Sequence, residues 1–512
     1  MKTPDVGLLL EGTFPYVRGG VSGWVHRLIG MHPHLKFSIF YLGSDRSAAT
    51  ARLYEIPENV VEFRQAFLFE RPGKDELRPA LLDAGTASGL AEGLESVYFA
   101  SDDASRLDAA LQFSDWLRTR GKDIRFGNLL HERGCWDVLR RVYERWFPTV
   151  SFIDFFWTCR IIHSPLWRML RALPEVPPAT VYHAISTGYA GAIGALASRR
   201  SGVPYILSEH GIYTKERMIE ITQADWIHEP KGHGILAGPT RLALKNIWIN
   251  MFSFLGKMTY EAANPIISLY SGNARVQEGF GAPAERIEII PNGILPARFD
   301  AARKKRAVFA GQSHGDCRIG FIGRIVPIKD VKTLIRAARL VVDVLPDVRI
   351  SLHGPTNEDR EYFEECLEMI GELGLGESVS FHGTGRIEEI LVGLDLLVLT
   401  SISEALPLVI LEAFACGIPA VATDVGACRE LLNGRTPEDK ALGRGGVLTG
   451  ISSPSETAGA LVRLAKDPQL RKKMGGAGFA RVLRFYNEKH VMSRYGSLYK
   501  SLQEKGSSPW PA

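Results

Sequence analysis

Residues 318–352 read RIGFIGRIVPIKDVKTLIRAARLVVDVLPDVRISL, and along this stretch the apolar period switches from strand to helix and back. Arg318 to Gly323 is a short apolar run of strand length. Val331, Leu334, Ile335, Ala338, Val341, Val342 and Leu345 then fall on one helical stripe, with Asp330 placed to cap its start. Pro346 ends the helix, and Val348 to Leu352 is again a strand. Strand, crossover helix and strand make a βαβ unit, which demands a parallel sheet covered on its faces. The rhythm continues through a helix around Glu361 to Glu372, strands Val379 to Phe381 and Leu394 to Thr400, a helix from Pro407 to Cys416 and strand Ile418 to Ala422. The C-terminal half is therefore expected to be a doubly wound α/β domain.

The N-terminal half begins the same way. Strand Val6 to Leu10 precedes a helix with Val21, Val25, Leu28 and Ile29 on one face, and strand Phe37 to Leu42 follows. From about Phe63 to Pro178 amphipathic helices replace the alternation, and the rhythm resumes at Ala179 to His183 and Tyr205 to Glu209. Trp116, Trp136, Trp146, Trp157 and Trp167 lie in this insertion, where core filling is the plainer reading and an exposed partner surface the sharper one. The polar stretch Ala301 to Asp316 reads as a hinge linker. The expected domains are 1–300 and 301–485, followed by a helix at 486–505 that packs back toward the first domain and a disordered tail at 506–512.

Composition removes several classes of protein. The 512 residues carry 61 Lys+Arg against 57 Asp+Glu, a net charge of +4, with 45% hydrophobic, 23% charged and 9% aromatic residues. That balance is globular, neither a disordered polyelectrolyte nor a nucleic-acid binder. No stretch reaches the roughly 18 to 20 apolar residues that a spanning helix needs. Cys135, Cys159, Cys317, Cys366, Cys416 and Cys428 form no CxxC pair, as expected for reduced thiols in a cytoplasmic protein.

The chemistry is expected at strand ends. In SEALPLVILEAFACGIP, residues 403–419, Glu404 sits in a loop after a strand, Pro407 suits the first helical turn, and Gly417 suits the C-terminal cap. Leu408 and Val409 would then aim backbone N–H groups at an anion, and Glu404 and Glu412 would flank a diphosphate. Two carboxylates there require compensating cations, and Arg324 and Lys329, just beyond another strand end, supply them. Gly19 and Gly20 open the first helix, either as a turn requirement or to let a phosphate approach the backbone. His183 and His210 close two strands, as structural residues or as groups facing a substrate. No metal-ligand spacing and no Asp-x-Asp occurs, so metal-independent chemistry is expected.

Together these segments resemble the retaining GT-B glycosyltransferases of family GT4. Glu404 to Glu412 is similar to that family's Glu-x7-Glu motif and GRIVPIKD to its Arg/Lys donor site. Gly19-Gly20, Glu209-His210-Gly211, Pro291 to Ile294 and FHGTGRIEEIL (381–391) follow in the family's order. LLLEGTFPYVRGGVSGWVHRLI (8–29), the insertion and SEHGIYTKER (208–217) resemble more narrowly the GT4 enzymes of Pel exopolysaccharide synthesis. The resemblance implies a GT-B fold, two Rossmann-like doubly wound domains facing a crevice, with a helical insertion in the first. It implies that Arg324 and Lys329 hold the donor diphosphate, Glu412 the ribose and Glu404 the sugar. His210 would lie near the anomeric carbon and Arg386 by the uracil, with Leu408, Val409, Gly19 and Gly20 at the phosphates. The implied donor is a UDP-sugar, with no cofactor. The implied acceptor is a polysaccharide, and the implied partners are inner-membrane synthase proteins. Another GT4 acceptor, or a binding-only assembly subunit, are the alternatives.

Overall fold

The computed structural model describes residues 3–120, 123–224, 227, 243–311 and 317–506. Two units divide the chain: Met1–Ser268 with Ala274–Glu288 and Gly496–Ala512, and Leu269–Asn273 with Ile289–Tyr495. In the first, strands β1 (Val6–Glu11), β2 (Phe37–Gly43), β3 (Val60–Phe67), β4 (Tyr182–Ala184), β5 (Tyr205–Glu209), β6 (Ile266–Ser268) and β7 (Ile287–Ile289) form one sheet in the order 3-2-1-4-5-6-7. β1 to β6 pair in parallel, β1 against β2 in register from Val6↔Phe37 to Glu11↔Leu42. Such central strands are buried on both faces, which is why VGLLL reads as a continuous apolar run.

In the second unit β8 (Arg318–Ile322), β9 (Arg349–His353), β10 (Val379–Phe381), β11 (Leu396–Leu399), β12 (Ala420–Thr423) and β13 (Gly446–Thr449) form a parallel sheet in the order 10-9-8-11-12-13. Both sheets thus run 3-2-1-4-5-6 from their own first strand, and the strand order reverses at β1/β4 and at β8/β11. The helix Val331–Val342 buries Val331, Leu334, Ile335, Ala338 and Val341, and Asp330 caps it by accepting the Thr333 N–H. Each of its fully buried large aliphatics contributes about 1.5–3 kcal/mol over an exposed position. Among the described residues no helix is long and apolar enough to cross a membrane, and all six cysteines are free and buried.

Several expectations need correction. The stretch taken for a linker starts with a helix, Asp300–Gly311, whose Arg306 Nε donates to the Leu394 carbonyl at 2.7 Å. Its Lys and Arg residues are good helix formers on a solvated face, and polarity alone looked like a loop. The chain passes into the second unit after Glu288, ahead of the expected residue 300. The insertion starts later than Phe63, because Val60–Phe67 is a half-exposed strand beside β2. Of its tryptophans Trp167 is buried, but Trp136, Trp146 and Trp157 are 40%, 43% and 48% exposed, so core filling does not account for them. The last helix runs Glu488–Gly506, and its residues from Gly496 belong to the first unit. The expected disordered tail lies, beyond Gly506, outside the described residues.

The insertion's long helices are Ala84–Tyr98, Asp103–Arg120, Arg133–Trp146 and Phe152–Ala172. With Ala243–Ala262 they line a partly open apolar cavity of about 530 Å³, whose walls include Leu94, Phe113, Val142, Phe155, Ile162 and Met251.

Candidate active site

The strand-order reversal of the second unit is where an open α/β sheet presents a ligand site, because the loops after the two central strands diverge there. The loop after β8 carries Arg324 and Lys329, and the loop after β11 carries Glu404. Hydrogen bonds to backbone carbonyls tie these loops together, Ile402 N–H donating to Ile328 O at 2.9 Å and the Thr400 hydroxyl to Lys329 O at 3.1 Å. Lys329 Nζ therefore donates to Glu404 Oε1 at 2.5 Å, and Ser401 Oγ donates to the same oxygen at 2.6 Å. Only 17% of the Lys329 side chain and 11% of the Glu404 side chain are exposed, so the pair is strengthened by partial desolvation. Gly426, at φ 54°, lets the next loop press on this one: a Cβ there would sit 2.1 Å from the Glu404 carbonyl.

Pro407 occupies the N-cap of the helix Leu408–Ala415, so Leu408 and Val409 open its first turn with N–H groups that have no partner within the helix. Gly417, at φ 71°, closes it. Glu412 lies one turn further in, half-buried; burial raises its carboxyl above the usual range, opposed by Arg298, while Glu388 pushes the same way as burial. Two more strand-end loops, those after β9 and β10, stack on the loop after β8 by backbone bonds, Gly323 N–H to His353 O at 2.9 Å and Gly354 N–H to Gly383 O at 2.8 Å. Gly354 has no room for a side chain, since a Cβ would meet Gly323 O at 1.8 Å. Arg324, 55% exposed, pairs with Glu358 at 2.9 Å rather than with Glu404. Arg386 stands at the N-cap position of the helix Ile387–Val392 without a side-chain capping bond, and its guanidinium lies 3.6 Å from Glu389, well exposed.

The first unit presents different chemistry at its own reversal. Gly19 and Gly20 open the helix Gly20–Gly30 on the surface; Gly19 is extended (φ 171°) and a Cβ on either would meet nothing within 4 Å. Neither packing nor a left-handed backbone conformation demands glycine at these positions. His210 lies against Trp24 at 4.5 Å between centroids, and burial, with Arg27 nearby, pushes its imidazole down to about 4. A neutral ring at pH 7 follows.

His183 requires correction as a binding residue. It is fully buried, with Nδ1 hydrogen-bonded to Tyr499 Oη and Nε2 to Ser208 Oγ, both at 2.8 Å, so it offers no ring atom to a ligand. Burial, with His210 nearby, holds its imidazole down to about 3. Glu209 is likewise interior, accepting from Thr187, Tyr260 and Gln277.

Sequence reasoning missed Glu11. At the end of β1 its carboxylate accepts from Tyr213 Oη at 2.7 Å and from the Ala190 N–H at 3.1 Å, at the start of the helix Tyr189–Ser201. Burial raises its carboxyl above the usual range. Ser401, Glu358 and Gly426 were missed too. A serine three residues before Glu404 was the only signal for the first, while the others act through distant loops. Among the described residues no cluster of three His, Cys, Asp or Glu side chains is placed to hold a metal ion.

Two Rossmann-like units, the second with a lysine–carboxylate pair and a helix N-terminus at its strand-order reversal, define a GT-B glycosyltransferase. HepE from Anabaena, crystallised with UDP, has the same fold at 15% identity, with a TM-score of 0.57 over 97% of this chain and 99% of its own. Sucrose-phosphate synthase from Thermosynechococcus elongatus matches at 15% and 0.57, over 98% and 99%. The chain belongs to the family described as "Domain of unknown function (DUF3492)", matched over residues 4–285, and residues 304–481 match "Glycosyl transferases group 1". Among curated relatives, a D-inositol 3-phosphate glycosyltransferase of Acidothermus cellulolyticus is 27% identical over 63% of this chain and 68% of its own length. An alpha-maltose-1-phosphate synthase of Mycolicibacterium smegmatis is 27% identical over 65% and 82%. Several other D-inositol 3-phosphate glycosyltransferases are matched over only about half of their length.

Proposed function

We propose that this glycosyltransferase is a retaining, metal-independent GT4 enzyme that moves a hexosamine or hexose from a UDP-sugar onto a growing exopolysaccharide. UDP-GlcNAc or UDP-GalNAc is favoured over UDP-Glc. The observation that carries the reading is the Lys329–Glu404 pair beside the first turn of Leu408–Ala415. On this reading the Leu408 and Val409 N–H groups and the Lys329 ammonium take the donor's diphosphate oxygens, Arg324 leaves Glu358 to join them, and Glu412 takes the ribose hydroxyls. Arg386 lies by the uracil. Glu404, held by Lys329 and Ser401, orients the sugar. The C1–O bond to the diphosphate breaks as the acceptor oxygen bonds C1 on the same face, and the acceptor proton passes to the departing phosphate oxygen. The family resemblance assigns His210, a neutral hydrogen-bonding group at pH 7, to the sugar and Gly19 and Gly20 to the phosphates. No step calls on a cofactor.

The exopolysaccharide acceptor, the cytoplasmic setting and partners in an inner-membrane synthase rest on the narrower resemblance to PelF. The relatives' names support a second reading, in which the acceptor is a small phosphorylated molecule. Purified protein given each UDP-sugar with chelator present should release UDP with at least one of them, and more when an oligosaccharide acceptor is added. UDP binding without release from any donor would leave a binding-only subunit. A strict divalent-cation requirement would refute the metal-independent reading, and faster release with a polyol phosphate than with oligosaccharide would move the acceptor to the second reading.

A further inference from the structure

In the helix Phe152–Ala172 three residues are exposed, and all three are apolar: Ile153 at 67%, Trp157 at 48% and Ile161 at 52%. They stand four residues apart, so they form one stripe along a single face of the helix. This is the reverse of a globular surface helix, which shows water its polar side. The stripe continues onto the neighbouring helix Arg133–Trp146. Trp136, itself 40% exposed, lies 5.6 Å from Phe152 and 5.2 Å from Phe156, and Phe156 lies 5.7 Å from Trp157.

Arginines stand on both helices that carry this apolar surface. Arg160 lies over the Trp157 ring at 4.8 Å and Arg145 over the Trp146 ring at 5.4 Å. Arg140 and Arg141 are about half exposed, Arg140 pairing with Glu144 at 3.0 Å and Arg141 with Glu95 at 2.7 Å, surface pairs that lipid phosphates can compete for. Residues 133–172 contain seven arginines and no lysine against Asp137, Glu144 and Asp154, so this stretch alone holds a net +4, equal to the net charge of all 512 residues. The remainder of the chain is neutral.

We propose that this face of the insertion docks directly on an anionic lipid bilayer, with Ile153, Trp157, Ile161 and Trp136 entering the headgroup–acyl boundary and the arginines meeting lipid phosphates. The charge argues for a bilayer over a protein. A bilayer offers an apolar layer under a plane of negative charge, and these two helices pair an apolar stripe, with Arg160 stacked on its Trp157, with a net positive charge. Tryptophan and arginine are also the residues whose amphipathic side chains suit that depth. The contact is independent of the donor chemistry and needs no membrane-protein partner.

The test is flotation of the full-length protein with vesicles of phosphatidylcholine alone and with about 30% phosphatidylglycerol. Wild type should float with the anionic vesicles, and its bound fraction should fall about tenfold between low and high salt. The I153S/W157S/I161S variant should lose about tenfold or more in affinity while releasing UDP at the wild-type rate. R140Q/R141Q/R160Q should bind weakly and with little dependence on salt. Should either variant misfold, quenching of wild-type tryptophan fluorescence by lipids brominated near the headgroup decides the matter alone. No flotation with anionic vesicles, equal flotation with neutral ones, undiminished binding by the folded triple serine variant, or no quenching overturns the proposal and leaves the face to a protein partner.

Discussion

At the strand-order reversal of the second unit an ammonium and a carboxylate stand paired beside a helix whose first turn faces outward. At that of the first unit, the corresponding helix N-terminus, at Ala190, is already taken by the chain's own carboxylate, Glu11. The topology is shared and the electrostatics are opposite. One reversal keeps an anion-binding terminus open with a cation at its side. The other fills that terminus from within, and Glu11 there, like Glu209, His183 and His210 elsewhere in the same unit, is driven toward neutrality by burial. On the proposed reading, a fold repeated twice puts the charged diphosphate chiefly at one reversal and leaves the other to neutral sugar hydroxyls.

Lys329→Ala should break the second site most severely, lowering kcat/KM for the UDP-sugar by about a thousandfold, since it removes the phosphate cation and leaves Glu404 facing no charge. Steady-state kinetics read this directly, with circular dichroism confirming the fold. Glu404→Gln keeps the Ser401 hydrogen bond and should lower kcat about a hundredfold with a smaller change in KM. A wild-type rate in either variant would undo the assignment.

The first unit's histidines yield a stability test. Their folded values, about 3 and 4, lie below the ordinary 6.5, so the unfolded chain binds more protons once pH falls below 6.5. Their contribution is complete above pH 6.5 and is lost as pH falls toward 4, about 2 kcal/mol for each histidine at pH 5. Denaturant titrations at pH 7 and 5 measure it, and His183→Gln should remove about half of this drop. Glu412→Gln should raise the donor KM about tenfold with kcat little changed. Smallest of all, Glu11→Gln should change donor KM by less than about twofold, because its helix terminus does not serve the phosphate. Tighter donor binding in that variant would show both reversals to be phosphate sites.

Much of this was legible along the chain wherever a pattern is local. The stripe of Val331–Val342, the cap at Asp330, and Lys329 and Glu404 at strand ends are all matters of spacing. What escaped depended on distance. Glu11 finds Ala190 and Tyr213 across 179 and 202 residues, and His183 finds Tyr499 across 316, so a strand-end histidine that looked like a ligand is an interior post. Polarity misled at Asp300–Gly311, where lysines and arginines were solvating a helix. It misled at Val60–Phe67 too, where charges alternate along a half-exposed strand.

The cavity of about 530 Å³ inside the insertion bears on how the molecule responds to compression. Heat weighs energy against chain entropy, but hydrostatic pressure weighs only volume, and a chain that opens around a cavity gives that space up to water. Under rising pressure the helical insertion should be the first region to admit water and to lose its amide protection, while the strand-end loops with Lys329 and Glu404 keep their shape.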